Sequence, residues 1–209
     1  MEKFVRLTAT ACPLLEPNLN TDQILPARYL KWPRSKGLGS VLFHDLRRDA
    51  DGNERDDFPL NRPAYRDARI LLSGRNFGGG SSREAAAYAV YDSGIRCVVA
   101  PSFGDIFAQN AVKNGLLAAI VSEKDIAPFA AAVGNDPTRT ITVDLEKQIL
   151  TSGALQCRFT IEPVSRNQLL HGWDDIDLTE SRRREITAFR TRDLRDRPWA
   201  MPAEARIKH

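Results

Sequence analysis

The sequence predicts an α/β fold on a mixed sheet, with a parallel βαβ centre and an antiparallel hairpin region. Between Ile70 and Val121, short apolar runs alternate with helical stretches. That order sets parallel strands side by side through right-handed crossovers. After Arg139 the pattern changes to period-two alternation, Thr140-Ile141-Thr142-Val143-Asp144-Leu145, which marks half-buried antiparallel strands. Serine, asparagine and glycine close the successive runs where turns are needed.

Each element follows from its own residues. Phe4 to Leu15 alternates like a strand and is broken by Pro13 and Pro17, and Asn18-Leu19-Asn20-Thr21-Asp22 reads as a turn rich in side-chain acceptors. Ile24 to Leu30 is a short element, followed by two polar surface segments, Lys31 to Gly39 and Asp45 to Arg69. Segments of that length are commonly functional. Ile70 to Ser73 is a strand, Ser82 to Asp92 a helix stopped at Ser93-Gly94, and Ile95 to Ala100 a second strand. Phe103 to Asn114 is a helix ended by Gly115, Leu116 to Val121 a third strand, and Ser122 with Asp125 opens a helix through about Val133. Strands follow at Thr140 to Leu145, around Ile149 and Leu150, and at Cys157 to Ile161. Ser165 to His171 is a short helix stopped by Gly172, and Thr179 caps a final helix of about fifteen residues.

With 209 residues, 42% hydrophobic and 27% charged, the chain suits one soluble domain, 1–209, with an arginine-rich C-terminal helix and tail from about 179. The start Met1-Glu2-Lys3-Phe4 lacks the apolar core of a secretory signal, and no apolar run approaches a membrane span. A cytoplasmic protein without membrane partners is expected. Cys12, Cys97 and Cys157 are scattered and odd in number, so they read as reduced packing residues, with no metal site on this chain. Net charge is +3, and arginines crowd the last thirty residues. Glu180, Glu185, Asp193, Asp196 and Glu204 interleave with them, which argues against a nucleic-acid partner.

Residues 74 to 84, Gly-Arg-Asn-Phe-Gly-Gly-Gly-Ser-Ser-Arg-Glu, carry the strongest chemical signal. They combine a permissive glycine backbone, two hydroxyls, two guanidinium groups and a helix start, a combination suited to a carboxylate-bearing ligand. The competing reading is purely structural: Ser81-Ser82-Arg83-Glu84 fits a capping box, with Ser81 as N-cap and Glu84 returning to its amide. No lysine follows in the P-loop manner, and no G-x-G-x-x-G is present here. Nucleotide binding by those two routes is disfavoured.

Several segments together resemble the small subunits of 3-isopropylmalate dehydratase, in the aconitase superfamily. They are Asn20-Thr21-Asp22-Gln23-Ile24-Leu25-Pro26-Ala27-Arg28-Tyr29-Leu30, Leu42-Phe43-His44-Asp45, Asn76 to Glu84, Ala100-Pro101-Ser102-Phe103-Gly104-Asp105-Ile106-Phe107, Val143-Asp144-Leu145-Glu146 and His171-Gly172-Trp173-Asp174. The resemblance implies a swivelling β/β/α domain and an enzyme completed by a large subunit, as heterodimer or heterotetramer, that carries a [4Fe-4S] cluster. It implies reversible dehydration of a small dicarboxylic hydroxyacid in leucine biosynthesis. Ser81 would be the catalytic base and Arg83 a bidentate carboxylate clamp, a task lysine cannot reproduce. Ser82, Gly79 and Gly80 would touch substrate more weakly. Asp22 would bind substrate or serve only its turn, and Arg28, Tyr29 and Leu30 would meet the substrate's variable group, with Leu30 equally readable as a packing residue.

One departure stands out. The family usually carries histidine after Ser-Ser-Arg-Glu, whereas this chain has Ala85-Ala86-Ala87-Tyr88, so a titratable group is absent there. A related hydro-lyase with another hydroxyacid substrate, or a non-catalytic anion-binding module, are the alternatives.

Overall fold

Strand β1, Arg6–Leu14, is the pivot of a seven-stranded sheet in the computed structural model, which describes residues 1–200. Its first half pairs antiparallel with β5, Thr140–Asp144, in the register Arg6 to Asp144 through Thr10 to Thr140. Its second half pairs parallel with β2, Ile70–Ser73, from Ala11 opposite Ile70 to Leu14 opposite Ser73. Beyond β2 lie β3, Cys97–Ala100, and β4, Leu117–Ile120, both parallel. Beyond β5 lie the antiparallel β6, Ile149–Ser152, and β7, Leu155–Arg158. The sequence-predicted mixed sheet is present, parallel on one side of β1 and antiparallel on the other.

Helices cover the parallel half on both faces, so its strands bury side chains on both sides. Leu71, Val98 and Ala118 enter one core cluster; Ile70, Leu72, Cys97, Val99 and Leu117 enter the other. On the first face lies α3, Glu84–Asp92, with Ala86, Ala87, Ala89 and Val90 buried. Alanine keeps that helix close to its neighbours and favours it intrinsically. α4, Asp105–Lys113, packs beside it through Phe107 and Ala111. On the second face α5, Glu123–Asn135, inserts Ile126, Phe129, Ala130 and Val133. Its predicted cap is present, since Ser122 Oγ accepts from the Asp125 amide at 3.2 Å. α6, Pro163–His171, closes the same layer with Leu169, capped at its start by Glu162 and at its end by left-handed Gly172.

The stretch from Thr21 to Arg69, which includes the two segments read as surface loops, contains short helical pieces: α1, Thr21–Ile24, α2, His44–Arg47, and several 3-10 turns. They bury Ile24, Leu25, Leu38, Val41, Leu42, Phe43, Phe58, Leu60 and Tyr65 in the first core cluster. Apart from Ile24 and Leu25, already read as part of a short element, those apolar residues lack any period, so no element could be read from them.

A second unit begins at Trp173. The single final helix expected from Thr179 is instead two: α7, Asp175–Glu180, and α8, Arg183–Asp196. Asp174 caps α7 with a reciprocal box to Asp177, so the helix starts earlier than Thr179, whose hydroxyl donates to the Asp175 carbonyl within it. Arg183 pairs with Glu180, Arg197 with Asp193 and Arg195 with Asp196, so part of the arginine charge is met locally. The rest of the expected tail, residues 201–209 with Glu204, Arg206 and His209, lies outside the described residues. Among the described residues no helix is long and apolar enough to cross a membrane.

Candidate active site

The glycine segment leaves the C-terminal end of β2 and is shaped from beneath by aromatic packing. Phe77 is fully buried, its ring 5.2 Å from Phe107 and 6.3 Å from Phe103, edge to face in both cases. Such pairs contribute about 1 kcal/mol beyond area burial. The β3–α4 loop holds the backbone: the Phe77 amide donates to the Ser102 carbonyl at 3.1 Å, and the Gly104 amide to the Phe77 carbonyl at 2.9 Å. Gly78 is left-handed, at φ 72°, and a Cβ there would lie 2.6 Å from Phe107 Cβ. A Cβ on Gly104 would lie 2.5 Å from the Gly78 carbonyl oxygen. Only glycine fits these two places.

The capping box predicted at Ser81 is not formed. α3 starts at Glu84, its N-cap is Arg83, and no side chain caps it. The reciprocal box lies instead at α1, where Asn20 Oδ1 accepts from the Gln23 amide and Gln23 Oε1 from the Asn20 amide, both at 2.9 Å. The reason is backbone position. Gly79 is tied to α1, its carbonyl accepting from the Thr21 amide at 3.0 Å, and the Ser81 carbonyl accepts from Thr21 Oγ1 at 2.8 Å. The chain therefore remains beside α1 through Ser81 and turns helical only after Arg83. Ser81 and Ser82 are exposed, and among the described residues neither hydroxyl has a hydrogen-bond partner.

Few of the glycine amides are left to meet a ligand. The Gly78 amide donates to the Leu19 carbonyl at 2.7 Å and the Gly79 amide to Asn76 at 3.4 Å, while Gly80, left-handed at φ 93°, keeps its amide unengaged among the described residues. Two of the three glycines thus shape the turn rather than offer a donor.

Arg83 and Asp22 are brought together. The Arg83 guanidinium is largely buried, at 16% side-chain exposure, and its Nη1 donates to Asp22 Oδ1, whose carboxylate is 54% exposed. Only one of five guanidinium N–H groups is used in that bond. Arg75, the segment's other arginine, instead lines a cleft with Leu15, Pro17, Glu123 and Ile126.

Arg28, Tyr29 and Leu30 lie on the 3-10 turn Ala27–Tyr29 and its end, and they are tied to α2. Arg28 Nη1 donates to Asp45 Oδ2 at 2.8 Å, Nη2 lies 3.0 Å from His44 Nδ1, and the guanidinium sits 4.7 Å over the Tyr29 ring. The hydrogen bonds from Arg28 hold the Asp45 carboxyl down at about 2, below its usual 3.8. The Tyr29 ring packs edge-on to Trp32 at 5.0 Å and tilts against His44 at 5.1 Å. Leu30 is 40% exposed. Sequence reasoning missed the Asp45 and His44 partners, whose pairing with Arg28 across sixteen or seventeen positions has no local signature.

A cleft of about 370 Å³, lined by Leu14, Leu19, Gln23, Leu46, Arg55 and Phe58 among others, contains none of the residues from Gly79 to Arg83. Ser81 and Ser82 lie exposed outside that cleft.

The thiols are poor metal donors. Burial pushes Cys12 up to about 12 and Cys157 up to about 11, and it raises Cys97 as well. Cys12 and Cys97 belong to opposite core clusters. Among the described residues no three acidic, histidine or cysteine side chains gather as a metal site.

Residues 1–124 match the aconitase C-terminal domain family. A 3-isopropylmalate dehydratase small subunit from Rhodospirillum centenum is 50% identical over 96% of this chain and 100% of its own length. One from Rhizobium johnstonii is 45% identical over the same shares. The fold matches the crystal structure of a 3-isopropylmalate dehydratase from Methanocaldococcus jannaschii, with TM-score 0.60 and 23% identity over 88% of this chain and 98% of that one. The chain belongs to the aconitase C-terminal domain family. Within it, its full-length relatives are 3-isopropylmalate dehydratase small subunits.

Proposed function

We propose that the turn from Gly80 to Arg83 is the half of an active site that this chain brings to a 3-isopropylmalate dehydratase. The enzyme interconverts 2-isopropylmalate and 3-isopropylmalate by loss and return of water in leucine biosynthesis, in the cytoplasm. The observation that supports this reading best is the exposed, uncapping Ser81 hydroxyl, two residues before a guanidinium already oriented by a carboxylate. A reactive group on an open face needs a second surface to exclude water. The large subunit, as heterodimer or heterotetramer, is that surface.

Ser81 Oγ takes the proton from the substrate carbon next to the one bearing the hydroxyl, and returns a proton when water adds back the other way round. The alkoxide this requires is stabilised by the Arg83 charge and by the first amides of α3. Arg83 binds a substrate carboxylate through the N–H groups Asp22 leaves free. Asp22 holds the guanidinium, and its own charge keeps it from being a direct ligand of a dianionic substrate. The Gly80 amide and Ser82 hydroxyl supply further contacts, and Gly79 acts through the shape of the turn. Leu30, with Arg28 and Tyr29, meets the isopropyl group. A [4Fe-4S] cluster carried by the large subunit would supply Lewis-acid chemistry toward the substrate hydroxyl.

Steady-state assay of the reconstituted complex tests the reading. Ser81→Ala lowers kcat by about a thousandfold or more with assembly intact. Retention of activity within about tenfold sinks it. Ala85, in place of the family's histidine, favours a second reading, a related hydro-lyase; turnover of another hydroxyacid, with none of isopropylmalate, would establish that one.

A further inference from the structure

The segment carrying Arg28, Tyr29 and Leu30 continues across α3 and is fastened to it at two points. At the first, Arg34 grips Asp92, the last residue of α3: Nε lies 3.2 and 3.1 Å from the two carboxylate oxygens and Nη2 2.7 Å from Oδ1. The same guanidinium stacks 4.3 Å over Tyr88 and donates from Nη1 to Asn114 Oδ1 at 3.1 Å. Asn114 also donates to Glu84 Oε1 at 3.4 Å, so these side chains touch both ends of the helix. At the second point Gly39 lies flat on the helix end, where a Cβ would be 2.5 Å from the Asp92 carbonyl oxygen. A short path leads back to the recognition residues: Pro33 fixes the backbone before Arg34, Lys36 Nζ caps the Trp32 ring at 3.9 Å, and Trp32 abuts Tyr29.

We propose that Arg34 is a positioning residue for substrate recognition: it clamps the Arg28–Leu30 segment to the helix whose opposite end follows Ser81–Arg83. The inference rests on the assignment of Arg28, Tyr29 and Leu30 to the substrate's variable group. Its chemistry is specific to arginine, because a planar fork that bonds a carboxylate twice, stacks on a ring and donates a further bond cannot be replaced by an ammonium. Fixing the segment before binding removes an ordering cost that would otherwise weaken substrate affinity.

Two measurements test this on Arg34→Ala, Arg34→Lys and Asp92→Asn, with Lys31→Ala as control. Amide hydrogen exchange on the full chain, without substrate, is expected to quicken about tenfold over residues 31–41 in Arg34→Ala, while β2 and β3 remain unchanged. In the reconstituted complex, KM for isopropylmalate rises about tenfold with kcat within about twofold, and Arg34→Lys rescues neither effect fully. Asp92→Asn reproduces both effects in weaker form. Unchanged exchange overturns the clamp, as does a fall in kcat in step with the rise in KM, or full rescue by lysine. Exchange is read without turnover, so the clamp is judged separately from the Ser81→Ala result.

Discussion

The Arg83 guanidinium rests on the Asp22 carboxylate, 61 positions away in sequence, with the arginine mostly buried and the acid mostly exposed. A surface ion pair of this kind adds little stability. Under the proposed reading its value is geometric: the bond to Nη1 orients the guanidinium before substrate arrives. Asp22→Ala is expected to raise KM for isopropylmalate about tenfold, and Asp22→Asn, which keeps an acceptor oxygen, less than about threefold. Equal KM values for both variants and the parent would show that Asp22 orients nothing.

Arg83→Lys keeps the charge and loses the fork. The expected fall in kcat/KM is about a hundredfold, close to 2.7 kcal/mol of transition-state stabilisation. Full activity in the lysine variant would remove the bidentate clamp from the mechanism.

Gly78→Ala forces a side chain into a left-handed position already filled by Phe107. The two penalties together are expected to destabilise the chain by about 2–4 kcal/mol, read from denaturant unfolding. The neighbouring Ser81→Ala change, which breaks no hydrogen bond among the described residues, is expected to stay within about 0.5 kcal/mol of the parent.

Acid titration reads the Arg28–Asp45 pair. Its carboxyl is depressed from 3.8 to about 2 in the folded chain, so the contribution is complete above about pH 4 and is lost as pH falls through 2. Asp45 is 51% exposed, and solvent screening limits the effect to below about 1 kcal/mol. Asp45→Asn should flatten the stability curve over that interval. An identical acid limb in variant and parent would contradict the pairing.

Thiol reagents should find Cys157 slowly and leave Cys12 and Cys97 unmodified in the native chain, since both are fully buried and held as neutral thiols. Rapid labelling of either core cysteine would contradict its burial, and iron–sulfur absorbance from the purified chain alone would contradict the proposed place of the cluster on the large subunit.

The parallel centre was legible because β2, β3 and β4 are short apolar runs buried on both faces, separated by helices with clear stop residues. β5 was legible for a different reason, the period-two alternation of a strand with one buried face. The start of α3 was not. Ser81-x-x-Glu84 satisfies the capping pattern locally, and it is Thr21, sixty residues earlier, that keeps the backbone extended there. Asp22 with Arg83, Arg28 with Asp45 and Arg34 with Asp92 are likewise pairings set by tertiary geometry. Each residue is visible in the sequence, but its partner is not.

Because β1 is paired along one half with β2 and along the other with residues 140–144, a strand synthesised before both of its partners is among the last of the sheet to be completed. Until β5 emerges, residues 6–10 present a bare edge open to pairing with another chain. The β1–β5 closure joins residues 130 to 138 positions apart in sequence, the kind of contact that slows folding. Truncation after α5 would leave the parallel half with its helices but an unsealed seam, and such a fragment is expected to associate through β1.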